Sequence, residues 1–93
     1  MSERLRAIVV DDEPMALARL ARLLREEGGV EVVAECEDGA SAMAALRSHR
    51  PDVAFLDIEL PGGNGFEILA GLAAPPIVVF VTAHEGYAVR AFA

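Results

Sequence analysis

The chain has 93 residues, enough for one small domain, and 54% of them are apolar while only 5% are aromatic, so any core is built mainly from aliphatic side chains. Fifteen acidic residues stand against eight arginines, with no lysine, and the net charge of −7 argues against this segment itself gripping nucleic acid or an anionic membrane. No apolar run approaches the roughly 18 residues of a membrane span. Met1-Ser2-Glu3-Arg4 does not open a signal peptide, so a cytoplasmic setting is expected, with Cys36 a reduced and buried thiol.

Ala7-Ile8-Val9-Val10 reads as a first strand that ends in Asp11-Asp12-Glu13. Pro14 suits the first turn of a helix, Leu17, Leu20, Ala21 and Leu24 form its apolar stripe, and Gly28-Gly29 closes it. Arg19 and Arg22 fall on the other side, interleaved with acidic residues as on a solvated face. Residues 30–36 alternate in part and suit a strand at a sheet edge. Asp38 is placed to cap a helix over 39–50, with Ala42, Met43 and Leu46 inward, and Pro51 ends it. Val53-Ala54-Phe55-Leu56 is a buried strand that finishes at Asp57, before the turn signal Leu60-Pro61-Gly62-Gly63. A short helix is expected over 65–72, a fourth apolar strand over 77–82 and the start of a last helix over 84–93. Strands alternating with helices through short connections call for an α/β fold, a doubly wound parallel sheet over residues 1–93.

In such sheets ligands bind at the carboxyl ends of the strands. Asp11, Asp12 and Asp57 all terminate apolar strands there, and Thr82 ends a third. Clustered carboxylates repel one another unless a cation lies between them, and hard oxygen donors with no His or Cys favour Mg²⁺. Mg²⁺ points to phosphate chemistry, a carboxylate can take a phosphoryl group, and the Thr82 hydroxyl can bond a phosphoryl oxygen. The blander account makes Asp11 and Asp12 helix caps, Asp57 a turn residue and Thr82 an ordinary strand end. Their shared position at one sheet edge favours a site.

The motifs Val9-Val10-Asp11-Asp12-Glu13-Pro14, Leu56-Asp57-Ile58-Glu59-Leu60-Pro61 with Gly65, and Val81-Thr82-Ala83 resemble the receiver domain of two-component response regulators, across the whole chain. The resemblance implies the flavodoxin-like strand order 2-1-3-4, with the family's fifth strand and fifth helix missing from this chain. It implies Asp57 as phospho-acceptor, supplied by a sensor histidine kinase or a small phosphodonor. It further implies Mg²⁺ held by Asp12, Asp57 and the backbone carbonyl of Glu59 with Asp11 helping through water, phosphoryl binding by Thr82, and tuning of the phosphoryl lifetime by Glu59 and His84. Residues 84–92 are similar to receivers attached to LytTR-type DNA-binding domains, which implies a transcriptional output through a domain absent from this chain and no direct DNA contact here.

The chain departs from that family in having no lysine to pair with the phosphoryl group. It is expected to be a truncated receiver whose strand 77–82 is an exposed apolar edge and whose sheet lacks one covering helix, so self-association is expected through that edge or that face. Two other readings are an interaction fragment that no longer phosphorylates and, less favoured, a Mg²⁺-dependent phosphohydrolase. The phosphohydrolase would want Asp-x-Asp where Glu59 stands. No turnover of a separate substrate is expected.

Overall fold

The computed structural model describes residues 4–57, 70–81 and 90–92. The elements run β1 (Leu5–Val10), α1 (Pro14–Glu27), β2 (Val30–Cys36), α2 (Gly39–His49), β3 (Val53–Asp57), β4 (Ile77–Val81) and β5 (Arg90–Phe92). The sheet order is β2-β1-β3-β4-β5. The first four strands are parallel in the expected order, and β2 is at an edge as its alternation suggested.

Helix boundaries follow local chemistry. Pro14 opens α1, and Gly28 closes it at φ +83°, where a side chain would be strained. Asp38 caps α2 in a reciprocal box with Ser41: the Ser41 N–H donates to Asp38 Oδ1 at 2.7 Å and the Ser41 hydroxyl receives the Asp38 N–H at 3.4 Å. At the other end of α2, Arg50 adopts φ 46° as the left-handed cap. The Arg6 guanidinium, reaching from β1, donates to the carbonyl of His49 at 2.7 Å and so meets the negative end of the helix.

The sheet is asymmetric in its cover. On the α2 side, Ile8, Val10, Cys36, Ala54, Leu56, Val78 and Phe80 form one buried cluster with Ala42, Ala45 and Leu46, and Met43 packs against it partly buried. The opposite face is covered by α1, with Leu17 and Ala21 buried, where the helix lies against β2 and β1. Further along that face Phe55, Val79 and Val81 are half-buried and Ile77 is 49% exposed.

β2 carries a slip that places its far end. Ala7 pairs with Val32 but Ile8 pairs with Ala34, so Val33 is an extra residue. A regular ladder would set Glu35 opposite Val10, facing the apolar cluster. With the slip, Cys36 stands opposite Val10, and Glu35 turns toward α1 to meet Arg25 at 2.9 Å.

Two expectations need correction. Residues 90–92, read as part of a helix over 84–93, form the short strand β5, antiparallel to β4 through Val78↔Phe92, Val79↔Ala91 and Phe80↔Arg90. β4 is therefore not the bare edge expected. A strand with unpaired N–H and C=O groups takes whatever backbone it can reach, and this demand overrides weak helical periodicity. The remaining residues of that helix, and 65–69 of the helix expected over 65–72, lie outside the described residues; Ala70 is helical and Leu72 packs partly buried against the α2-side cluster.

Asp52 brackets the starts of three strands. Its carboxylate accepts the Arg6 N–H at 2.8 Å, its own N–H donates to the Arg6 carbonyl at 2.8 Å, and its carbonyl accepts from Ile77 at 3.1 Å. Replacing Asp52 by Ala removes only the side-chain bond, and is expected to cost about 1–2 kcal/mol. Urea unfolding with an unchanged slope and a lower midpoint would show it; an unchanged midpoint would refute it.

Candidate metal centre

The pairing Val10↔Leu56 in the parallel β1–β3 ladder carries Asp11 and Asp57 out of adjacent strands at the same edge. Asp12 follows directly. Asp11, Asp12 and Asp57 each present a carboxylate oxygen, and these oxygens all lie within 4.8 Å of one another. Asp11 is 7% exposed, Asp57 is half-buried and Asp12 is exposed, so the cluster is graded from interior to solvent.

Asp11 is held from two directions. Its N–H donates to the Cys36 carbonyl at 3.0 Å, and its Oδ1 accepts the Glu13 N–H at 2.9 Å. Burial pushes its carboxyl above the ordinary aspartate range. The bond from Glu13 opposes this, and the charges of Asp12 and Glu13 reinforce it. The cap of α1 is Glu13, which makes no side-chain capping bond. The capping alternative thus accounts for one oxygen of Asp11, in a local turn, and supplies no role for Asp12 among the described residues.

Three carboxylates, with no nitrogen or sulfur donor in the cluster among the described residues, suit a hard divalent cation that keeps much of its water. The donor set fits Mg²⁺, and the exposure of Asp12 leaves an open side. Glu59, Thr82 and His84 lie outside the described residues; Thr82 directly follows β4, whose Val81 pairs with Asp57. Sequence reasoning brought together the three aspartates correctly but missed Cys36 and Glu13, which hold Asp11 through backbone groups. The only available signal was that residues 30–36 form a strand ending beside 7–10.

Comparison with known proteins identifies the family. The model of the response regulator receiver domain matches residues 7–93. An uncharacterized response regulatory protein of Yersinia pestis is 50% identical over 91 residues, covering 95% of this chain and 38% of that protein. The transcriptional regulatory protein BtsR of Salmonella typhi is 42% identical over 91 residues, with the same two coverages of 95% and 38%. Among solved structures, the signal receiver domain of the response regulator NarL from Mycobacterium tuberculosis superposes with a TM-score of 0.83 at 37% identity, over 89% of this chain and 69% of that one. The response regulator domain of Thermotoga maritima CheB gives a TM-score of 0.80 at 32% identity, over 92% and 67%. The chain spans 38% of the length of these two regulatory relatives. By sequence and by fold, the chain belongs to the response regulator receiver domain family.

Proposed function

We propose that the acidic cluster is a phosphorylation site in which Asp57 is the acceptor and Asp11, Asp12 and Asp57 hold Mg²⁺. The observation that carries this reading is the convergence of three carboxylate oxygens within 4.8 Å at the ends of two adjacent parallel strands. One oxygen of Asp57 attacks the donor phosphorus, the donor's P–N or P–O bond breaks, and the donor leaves as imidazole or carboxylate. The bound cation supplies positive charge against the phosphoryl oxygens. Asp11, fixed by Cys36 and Glu13, keeps one ligand position rigid while exposed Asp12 adapts to the incoming group. In this reading the carbonyl of Glu59 would complete the ligand set, the Thr82 hydroxyl would donate a hydrogen bond to an oxygen of the phosphoryl group on Asp57, and Glu59 and His84 would adjust its lifetime.

The donor protein in this reading is a sensor histidine kinase. The output is transcriptional, through a domain outside this chain, as the name of the BtsR relative suggests. The chain acts as an acceptor in a signalling relay and turns over no separate substrate. Among the described residues no helix is long and apolar enough to cross a membrane. With β5 covering part of β4, the half-covered face of β3 and β4 is the surface we assign to self-association among the described residues.

Incubation with Mg²⁺ and acetyl phosphate, followed by intact mass, is expected to add one phosphoryl group to the chain and none to Asp57→Asn. With no lysine to pair with the phosphoryl oxygens, uptake is expected to be incomplete. No added mass in either protein would leave a metal-binding interaction fragment, and equal addition in both would place the acceptor elsewhere.

Asp11 gives a second prediction. Because its folded carboxyl titrates above the unfolded value, its contribution favours the fold at acid pH and is lost as pH rises through the raised value. Asp11→Asn keeps an oxygen for the Glu13 N–H. It is expected to raise the Tm of the metal-free chain at neutral pH, with the gain fading in acid. Saturating Mg²⁺ should raise the parent's Tm, by about 2–3 kcal/mol of stability at a hundredfold excess over Kd, and the variant's much less. Equal Mg²⁺ responses would remove Asp11 from the site.

Sedimentation velocity across micromolar concentrations is expected to show concentration-dependent association of the 93-residue chain, reduced by Ile77→Lys on the half-covered face. A monomer throughout would contradict it.

A further inference from the structure

The three aspartates differ in depth, from buried Asp11 through half-buried Asp57 to exposed Asp12. Asp11 is the interior member, and its main chain is tied to the end of β2 by the bond from its N–H to the Cys36 carbonyl at 3.0 Å. Cys36 is itself anchored. It is 5% exposed, stands opposite Val10 because of the slip at Val33, and its thiol donates to the Ser41 carbonyl at 3.6 Å. Ser41 lies in the first turn of α2 and is fixed in turn by Asp38, which accepts from its N–H at 2.7 Å and from its hydroxyl at 2.8 Å. A continuous series of contacts therefore runs from the exposed cap of α2 through Cys36 to Asp11.

We propose that Cys36 is a positioning residue for Asp11, holding the end of β2 against α2 so that the Asp11 backbone, and with it the interior ligand of the acidic cluster, stays in register. The metal part of this proposal rests on the reading of the cluster given above. The Cys36 side chain acts at one remove: any residue supplies the carbonyl, but only one that is small, buried and able to donate toward Ser41 keeps that carbonyl in place. Ligand sets tolerate displacements of only about 0.5 Å, and partners outside the ligand shell typically change metal affinity by roughly 10–100-fold when lost.

The test compares the parent chain with Cys36→Ala, Cys36→Ser and a core control, Ala45→Gly. Ala45 is buried in α2, the helix against which the end of β2 packs, and its replacement by glycine destabilises through helix propensity without touching the Cys36–Ser41 contact. Two readouts are taken: hydrogen exchange of the Asp11 amide without metal, and the Kd for Mg²⁺. Cys36→Ala is expected to lose Asp11 amide protection beyond its change in global stability and to weaken Mg²⁺ binding by roughly tenfold. Cys36→Ser, which restores a donor, should recover most of both, and Ala45→Gly should leave Asp11 protection and Kd near the parent's once global stability is allowed for. If Cys36→Ala matches Ala45→Gly in both readouts, Cys36 is a packing residue and the proposal fails. If the parent binds no Mg²⁺, the metal reading falls, and the exchange comparison still decides whether Cys36 positions Asp11.

Discussion

The parallel pairing of β1 with β3 forces like charges together, and much of the site follows from it. Val10 lies beside Leu56, so the next residue on each strand is an aspartate at the same edge. Two full charges about 5 Å apart cost roughly 3 kcal/mol at an effective dielectric of about 20. The strands cannot separate to relieve this, because Ile8, Val9, Val10 and Leu56 are the largest fully buried side chains among the described residues. Each contributes about 1.5–3 kcal/mol by burial, which holds the ladder closed against the repulsion. Burial, with the charges of Asp12 and Glu13, pushes the Asp11 carboxyl above its ordinary range, while Asp12 stays exposed to water, which screens its charge. A cation fits the same need.

The slip in β2 solves a related problem one strand away. The residues Val32-Val33-Ala34-Glu35-Cys36 contain one apolar residue more than strict alternation allows. A regular ladder would turn a carboxylate into the α2-side core, where burial without a partner costs several kcal/mol. Absorbing Val33 as a bulge costs less. It sends Glu35 to Arg25 and Cys36 inward, and sets the Cys36 carbonyl where Asp11 needs an acceptor. A local packing constraint on one edge strand thus reaches the interior ligand of the cluster.

Most of this fold was legible because its strong signals are local. Pro14 with Gly28, Asp38 with Pro51, and apolar runs ending in Asp11 and Asp57 each carry a physical reason that does not depend on distant residues. The three aspartates could be placed together because parallel strands share an edge for their carboxyl ends. The slip in β2 was not legible, since Val32, Val33 and Ala34 give no contrast from which to read a change of phase. Neither was β5: Arg90-Ala91-Phe92 suits helix or strand, and the open edge of β4 decides between them. The hold of Cys36 on Asp11 was hidden for a different reason, because it runs through a backbone carbonyl that every residue possesses.

β4 separates two demands that are often met by one partner. Its hydrogen bonds need only a few residues of extended chain, and Arg90–Phe92 answer three of its five positions without adding a layer. Its apolar side chains need area, and burial gains scale with area rather than with the number of bonds closed. On the α2 side that area is supplied, and Val78 and Phe80 are buried. On the other side α1 lies against β2 and β1, and Ile77, Val79 and Val81 keep contact with solvent. The antiparallel strand therefore blunts the edge as a template for strand addition while leaving the face unsatisfied. Association of this chain should be driven by side-chain burial over β3 and β4 more than by edge-to-edge pairing.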